Sequence, residues 1–363
     1  MKNILFTLFV CLIFTGIFAQ NPVRIGIDGL SHDHIHGLLR DIAGRKDIQL
    51  AGIAESDGEL VERLHKQYGF DKSKVFATLE EMVEKTHPQG VVAFNSIFAH
   101  LHTVEVCAPR GIHVMVEKPL AVSSKHAEKM AKLARENGIF LLTNYETSWY
   151  PTNYRAYELA VVQNKIGTIN KILVNDGHKG PAEIGCSKEF LAWLTDPVLN
   201  GGGAVVDFGC YGANLLTWLM KNEKPVSVTA VLQTIKPDVY PKVDDQAAII
   251  LKYPHLQAVL QGSWNWPVDR KDMEIYGKDG YVKALNSSDL EFRADRNSPI
   301  ERFSVTDFPV AASDAFNYFA QVISGKIELK PTDLASLENN LIVVEILDAA
   351  RKSAKSGKEM KLK

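Results

Sequence analysis

Three side chains in two distant segments of the sequence could together move a proton. Residues 201–214 place an acid, Asp207, and a phenol, Tyr211, four positions apart behind a run of three glycines, so that both lie on one helical face. The segment 114–121 contains the end of an apolar strand, where Lys118 stands directly before a proline. An alcohol that loses a hydride must also lose a proton, which requires a base near the hydroxyl and a cation near the developing alkoxide. The set therefore indicates hydride-transfer chemistry.

The elements that position these side chains are visible in the pattern of apolar residues. Strands alternate with helices up to about residue 146, which predicts a doubly wound parallel sheet whose carboxyl edge carries the chemistry. Longer strands separated by turns then predict a mainly antiparallel open sheet. We therefore expect an α/β protein with a Rossmann domain over residues 21–146 and an α+β domain for substrate binding and oligomerisation over residues 147–363. The predicted strands are residues 23–29, 48–54, 90–94, 113–116, 140–143, 168–176, 226–235, 246–253, 257–264 and 272–276, and the predicted helices are residues 35–43, 60–68, 103–110, 123–137, 153–164 and one from about residue 312.

The two segments, in this order and at roughly this separation, resemble the Gfo/Idh/MocA family of sugar and polyol dehydrogenases. The resemblance runs over nearly all of the chain after residue 21 and implies a nicotinamide cofactor. It also implies that Lys118 contacts the reacting hydroxyl and that the peptide bond before Pro119 is cis. Many members carry a histidine four residues after the acid, whereas this chain carries Tyr211, as in the glucose-fructose oxidoreductase branch.

Tyr211 is the predicted proton carrier, and Asp207 is predicted to orient the substrate or the lysine. A phenol with a reference pKa of ~10 must have its pKa lowered by a cation to act as a base near neutral pH, and we expect Lys118 to do so. The pKa of Lys118 itself would be lowered by an oxidised nicotinamide and raised by Asp207, and the sequence leaves both outcomes open. The structural alternative is that Asp207 caps the helix after Gly203 and Tyr211 is a core aromatic.

The turn after the first strand matches a dinucleotide-binding fingerprint only in part. Gly26 and Gly29 are present, but the next two glycine positions hold Ser31 and His34. Such a turn lets the backbone approach a pyrophosphate at a helix N-terminus, and we expect Ser31 to cap that helix and to donate to phosphate. Glu55, at the end of the second strand, is placed to accept from ribose hydroxyls and to repel a 2′-phosphate. The sequence therefore predicts NAD as the cofactor, with NADP disfavoured.

A dense group of histidines follows this turn. In a helix from about residue 31, His32 and His36 would share one face with His34 turned away, so that the three would not converge on one ion. We therefore expect no metal site and place His32 at the phosphate-facing helix end. The resemblance adds Asn95, His100 and Glu117 to the residues that line the cofactor groove.

Two further residues could contact a sugar in the second domain. His178 follows the first strand of that domain and could bind a hydroxyl, although loop histidines are usually solvated. Trp264 precedes a second tryptophan at a strand end, where its ring could stack on a pyranose. Core or dimer packing explains the tryptophan equally well.

The N-terminus has the pattern of a cleaved export signal. Lys2 is followed by an apolar run over residues 4–18, and cleavage is expected after Ala19. The run is shorter than the roughly 20 residues that a spanning helix needs. We therefore predict a signal peptide over residues 1–19, no stable membrane anchor, and a periplasmic or secreted protein. Three cysteines remain after cleavage, an odd and sparse set that argues against a disulfide framework.

The composition limits the function further. The hydrophobic fraction of 46% is ordinary for a globular protein, and a net charge of −2 gives no basic excess for binding nucleic acid. We predict an exported NAD-dependent oxidoreductase that acts on a secondary hydroxyl of a small sugar, glycoside or polyol, and that forms a homodimer or homotetramer through the C-terminal sheet. One alternative is a redox-neutral enzyme that cleaves or epimerises glycosides on a retained NAD. Another is a binding protein of the same fold without turnover.

Overall fold

The N-terminal half of the protein is a six-stranded parallel sheet. The computed structural model describes residues 21–307, 312 and 314–362, so the predicted signal peptide lies outside the described residues. The strands are β1 (Val23–Asp28), β2 (Ile48–Ala54), β3 (Val75–Phe76), β4 (Gly90–Ala93), β5 (His113–Glu117) and β6 (Leu141–Asn144). They follow the order β3-β2-β1-β4-β5-β6, which is the doubly wound Rossmann arrangement with its switch point between β1 and β4. The predicted fold of this domain is confirmed.

Five helices connect these strands, and their starts follow local capping rules. They are α1 (Ile35–Asp41), α2 (Gly58–Tyr68), α3 (Leu79–Thr86), α4 (His100–Cys107) and α5 (Ser124–Glu136). The side chains of Asp57, Thr78 and Ser123 accept the free N–H groups at the starts of α2, α3 and α5. The start of α1 has no side-chain cap. The expectation that Ser31 caps this helix is wrong, because residues 30–34 form a loop and the helix begins four residues later.

The second half is built around a nine-stranded sheet. Its strands are β7 (Ile169–Gly177), β8 (Ser227–Gln233), β9 (Gln246–Lys252), β10 (Gln257–Ser263), β11 (Arg270–Gly277), β12 (Tyr281–Ala284), β13 (Asp289–Arg293), β14 (Glu301–Ser304) and β15 (Met360–Lys361). The order is β14-β13-β12-β11-β7-β10-β9-β8-β15, and every neighbouring pair is antiparallel except β7 with β10. The predicted mainly antiparallel sheet is confirmed, although β12 to β15 were not predicted.

Helices of the second half cover this sheet and return to the first. They are α6 (Pro151–Tyr157), α7 (Lys188–Leu194), α8 (Ala204–Asp207), α9 (Gly209–Leu219), α10 (Ala315–Ile323) and α11 (Leu337–Ser356). Every residue of α9 is buried, and α9 packs on β10 and β7. Helix α10 places Phe319 in one apolar core with Ile25 of β1 and Ile48 of β2. The chain therefore returns to the first sheet after eight of the nine strands of the second sheet, and β15 follows later. No helix within the described ranges is long and apolar enough to cross a membrane.

Candidate active site

A buried ion pair joins the two domains at the carboxyl end of β5. Lys118 follows β5 directly, and its peptide bond to Pro119 is cis, as predicted. The Lys118 ammonium contacts Asp207 Oδ1 and donates to the Asp207 carbonyl oxygen at 3.0 Å, and both residues are only 5% exposed. Burial alone would lower the pKa of Lys118, but the charge and hydrogen bond of Asp207, together with other negative neighbours such as Glu117, outweigh it and the pKa is raised. Lys118 is therefore an ammonium in this structure.

The glycine run brings Asp207 to this position through close backbone packing. Gly203 lies against another loop, and a Cβ there would be 1.8 Å from the carbonyl oxygen of Asp244. The Asp244 carboxylate accepts from Gly203 N at 2.9 Å and from Val205 N at 2.7 Å, so it caps α8. Asp207 is the last residue of α8, which rules out the alternative in which it caps the helix. Its carboxylate is free to face Lys118.

Trp264 holds the second oxygen of the same carboxylate. Its indole Nε1 donates to Asp207 Oδ2 at 2.8 Å, and its ring packs on Tyr240 with centroids 4.7 Å apart. The side chain is fully buried, at 0% exposure. The prediction that this ring stacks on a pyranose is therefore wrong for the observed conformation, because no ring face is accessible. Trp264 instead orients Asp207.

Tyr211 is brought next to Lys118, but its ionisation differs from the expectation. Lys118 Nζ lies over the face of the ring, 5.1 Å from its centroid, as does Lys271 Nζ of β11. Burial, together with the negative charges of Glu146 and Asp207, raises the pKa of Tyr211 well above its usual value. The expectation that Lys118 lowers this pKa is therefore wrong in this structure, and Tyr211 is a neutral phenol.

The second domain adds ionisable residues that the sequence analysis missed. Asp176 and Lys271 are cross-strand partners on β7 and β11, so both side chains point from the same face of the sheet. Lys271 also contacts Glu146, and Asp176 is 1% exposed with no hydrogen-bond partner for Oδ1 among the described residues. Burial raises the pKa of Asp176 well above its usual value, although Lys271 opposes the shift. The signal that could have found Asp176 is an acid near the end of a strand, on the same face as the apolar residues Ile172 and Val174.

His178 lies beside this cluster. Its ring packs edge-on against Phe208 at 4.9 Å, and its Nδ1 accepts from Gly180 N at 3.0 Å. Burial lowers the pKa of His178, and Asp207 opposes that shift. Because the accepting nitrogen carries no proton, the neutral ring has its proton on Nε2. Its contact with a sugar remains a prediction.

A cleft of about 450 Å³ lies at the carboxyl ends of β1, β2 and β4. Gly29, Ser31, Glu55 and Asn95 line it, together with residues of the second domain. Gly29 has φ +82°, and a Cβ there would be 2.8 Å from Asn95 Cβ, so the turn requires glycine. Glu55 accepts backbone N–H groups on both oxygens, from Leu30 at 2.9 Å and from residue 57 at 2.9 Å. Each oxygen keeps a lone pair for a ribose hydroxyl.

Other predicted cofactor residues fall into two groups. Asn95 Oδ1 and His100 Nε2 are buried and have no hydrogen-bond partner within the described part of the chain, as polar atoms that await a ligand would be. Burial lowers the pKa of His100 to about 4, so its ring is neutral. Gly26 lies inside β1, where a Cβ would be 2.6 Å from Met82 Cε. Its predicted role at the cofactor is therefore replaced by a packing role, whereas Gly29, Ser31, Glu55 and Asn95 line a cleft that fits a dinucleotide.

His32, His34 and Glu117 form a compact cluster between the cleft and Lys118. One ring nitrogen of each histidine and one carboxylate oxygen lie within 4.8 Å of one another, a spacing that could hold a metal ion. The expectation that His34 turns away from His32 is wrong, because both lie in the loop before α1 with ring centroids 4.5 Å apart. Some of these atoms already take part in hydrogen bonds. His34 N donates to His32 Nδ1 at 3.1 Å, and His34 Nδ1 lies 3.0 Å from Glu117 Oε2. The lack of a metal remains a prediction.

Relatives of this chain are dehydrogenases. The trans-1,2-dihydrobenzene-1,2-diol dehydrogenase of Sus scrofa is 22% identical over 322 residues, which cover 85% of this chain and 90% of that protein. The scyllo-inositol 2-dehydrogenase (NADP(+)) IolU of Bacillus subtilis is 24% identical over 324 residues, which cover 86% of this chain and 92% of that protein. The solved aldose-aldose oxidoreductase from Caulobacter crescentus, complexed with glycerol, has a TM-score of 0.78 at 21% identity, covering 94% of this chain and 100% of that one.

Two family models match most of the chain. The model described as an oxidoreductase family with an NAD-binding Rossmann fold matches residues 23–145. The model of the GFO/IDH/MocA C-terminal domain matches residues 154–283. The first match ends and the second begins where the chain leaves the first sheet, and the ion pair joins Lys118 of the first match to Asp207 of the second. The chain therefore belongs to the Gfo/Idh/MocA family of NAD(P)-dependent oxidoreductases.

Proposed function

We propose that this protein is an exported NAD-dependent oxidoreductase that acts on a secondary hydroxyl of a sugar, glycoside or polyol. The observation that carries the proposal is the buried Lys118–Asp207 ion pair beside Tyr211, at the sheet edge where the cofactor cleft ends. The names of its relatives, which include an inositol dehydrogenase and a diol dehydrogenase, support a substrate with neighbouring hydroxyls.

The proton chemistry follows from the charges of these residues. Bound NAD would supply the hydride acceptor, held by Glu55, Asn95 and the Gly29 turn. Lys118 and Tyr211 both hold their protons in this structure, so they can stabilise and protonate an oxygen that gains negative charge. In the oxidising direction one of the two must first release its proton. Positive charge brought near Lys118 would favour that release by lowering its pKa.

The test is a substrate panel with matched variants. The mature chain is incubated with NAD and neutral sugars, glycosides and polyols, and NADH is followed by absorbance. Lys118→Ala should lower kcat at least ~100-fold with little change in NAD affinity, because the charge that develops in the transition state loses its partner while the cleft residues Glu55 and Asn95 are unchanged. Tyr211→Phe should behave similarly, and the double variant should lose less than the product of the two effects. Unchanged kcat in Lys118→Ala on an accepted substrate would refute the assignment.

A redox-neutral enzyme is the second candidate, and Asp176 favours it. Burial raises the pKa of the Asp176 carboxyl, whose cross-strand partner Lys271 lies over the Tyr211 ring, so Asp176 could donate a proton to a departing glycosidic oxygen. Such an enzyme would oxidise the sugar, eliminate the glycosidic leaving group and then reduce the sugar again, all with the same retained NAD. Mass spectrometry of the glycoside products, combined with the absorbance of NADH, separates the candidates. Cleavage without net NADH supports the redox-neutral enzyme, and stoichiometric NADH supports the dehydrogenase.

Location, assembly and cofactor choice complete the proposal. We expect cleavage after Ala19 and a periplasmic or secreted mature protein, which N-terminal sequencing of the exported chain would test. The proposed homodimer or homotetramer would use the face of the second sheet that α9 leaves open, and light scattering would give its mass. Preference for NAD over NADP rests on Glu55 at the end of β2.

A further inference from the structure

Residues 181–200, here called the covering segment, run from the second domain across the nucleotide cleft. The segment contains α7 and ends just before the glycine run. Three of its residues, Glu189, Trp193 and Leu199, line the same cleft as Glu55 and Asn95. The cleft is therefore bounded by both domains.

Aromatic side chains of the covering segment pack on the loop that follows β1. The rings of Phe190 and Trp193 lie 4.6 Å and 5.4 Å from the ring of His32, measured between centroids. Trp193 Nε1 also donates to the carbonyl oxygen of Ser31 at 3.3 Å. These contacts leave His32 only 1% exposed, and burial lowers its pKa well below the usual value. The loop that should carry the cofactor phosphates is thus covered by a neutral, apolar layer.

Polar contacts attach the segment to the first domain at separate points. Arg63 of α2 forms a two-pronged ion pair with Glu189, with nitrogen–oxygen distances of 3.0 and 2.8 Å. Ser187 N donates to the Asp33 carboxylate at 2.9 Å. Phe98 N donates to the carbonyl oxygen of Leu199 at 2.9 Å. The attachments lie after β1, on α2 and before α4, so they surround the cleft.

We propose that the covering segment is the outer wall of the NAD site, and that NAD leaves only when the Arg63–Glu189 pair and the Ser187–Asp33 hydrogen bond open. The inference rests on the proposed function, because it assumes that NAD occupies this cleft. It adds residues of the second domain to the cofactor site and makes NAD release slow. Slow release suits an exported enzyme, which would have no surrounding nucleotide pool from which to rebind.

The first test measures the rate at which the cofactor leaves. The mature protein is loaded with NADH and mixed with a second dehydrogenase and its oxidised substrate, which consume NADH as it is released. Arg63→Ala should raise the release rate about 5-fold, the factor that corresponds to the ~1 kcal/mol upper value for a partly exposed ion pair. Arg135→Ala is the matched control, since Arg135 pairs with Glu338 and does not line the cleft. It should leave the rate unchanged.

The second test closes the wall reversibly. The Cys186 thiol lies beside the Asp33 carboxylate, so Asp33→Cys would place a second thiol opposite a native one. Oxidation of the loaded variant should slow NADH release at least 10-fold, and dithiothreitol should restore the rate. Asp33→Ser, treated identically, controls for loss of the Ser187 contact.

The outcomes separate the two proposals. A wild-type protein that binds no NAD or NADH would overturn the proposed function. Normal NADH binding, with release rates that neither Arg63→Ala nor the cross-link changes, would overturn only the wall. A cross-link that fails to form, judged by intact mass and thiol titration, would also count against the closed segment.

Discussion

Replacing Asp207 by asparagine should expose the cost of a buried, unpaired ammonium. The carboxylate of Asp207 receives Lys118 on one oxygen and Trp264 Nε1 on the other, and all three residues are at most 5% exposed. An amide has only one oxygen, so one of these donors would face an NH2 group. Breaking a buried pair by removing one partner costs about 3–5 kcal/mol, and we expect a loss of this size in the free energy of unfolding.

Urea unfolding at neutral pH, followed by circular dichroism, measures this loss. The double variant Lys118→Met/Asp207→Asn should recover much of it, because the orphaned charge is gone. Glu81→Gln, which breaks the exposed pair with Lys85, is the control and should leave the midpoint nearly unchanged. The buried-pair account is wrong if Asp207→Asn costs no more than this control. It is also wrong if the loss of stability in the double variant equals the sum of the losses in Asp207→Asn and Lys118→Met.

The pH dependence of stability provides an independent check with a defined sign. The folded-state pKa of Asp207 lies below its usual 3.8, so its contribution is present above pH 3.8 and is lost as the pH falls through the lower folded value. The folded-state pKa of Lys118 lies above 10.5, so its contribution is present below pH 10.5 and is lost as the pH rises further. The pair should therefore stabilise the protein between these pH limits. In Asp207→Asn, the losses of stability at low and at high pH that come from this pair should both disappear.

Three further substitutions test separate parts of the site. Glu55→Ser should narrow the preference for NAD over NADP in calorimetry, because the repulsion of a 2′-phosphate is relieved; a native protein that prefers NADP would contradict this role. Trp264→Phe should cost about 1.5–3 kcal/mol in urea unfolding, since Asp207 loses a hydrogen bond to a charged acceptor, and a neutral result would show that water replaces the indole. Burial raises the pKa of Asp28 from 3.8 to about 6, so its contribution is present below pH 3.8 and is lost as the pH rises through 6. Asp28→Asn should therefore flatten the decline in stability over that range, and an unchanged profile would refute the shift.

Most strands of the first sheet could be predicted because each is marked by the residues of the strand itself. Parallel strands that are buried on both faces appear as short apolar runs, and all four residues of β4 are buried. The pairing of Lys118 with Asp207 followed from two motifs and their family resemblance. The protonation state of Tyr211 could not be predicted, because its pKa depends on burial and on the charge of Glu146, which only the folded chain brings near.

Other elements escaped prediction because their polar residues find partners only in the folded protein. Helix α11 buries Asn339, Asn340 and Ser353, which interrupt the apolar period expected of a helix. Asn340 Nδ2 donates to Leu334 O at 3.0 Å, and Ser353 Oγ accepts from Ala230 N at 3.0 Å. Trp264 was misassigned for a related reason. Its sequence position suits a binding surface, but its partner is an acid 57 residues away.

The return of α10 to the first sheet bears on how such proteins can be inherited. Because Phe319 completes the core of β1 and β2, a gene fragment that ends near residue 146 would encode a nucleotide-binding unit with an uncovered apolar face. The unit cannot be moved between genes as one continuous cassette, since its last piece is encoded after eight strands of the second sheet and before β15. Recombination that exchanged the second sheet would have to join the chain at several points at once. New substrate ranges in this lineage should therefore arise by substitution and loop variation, with both halves inherited together.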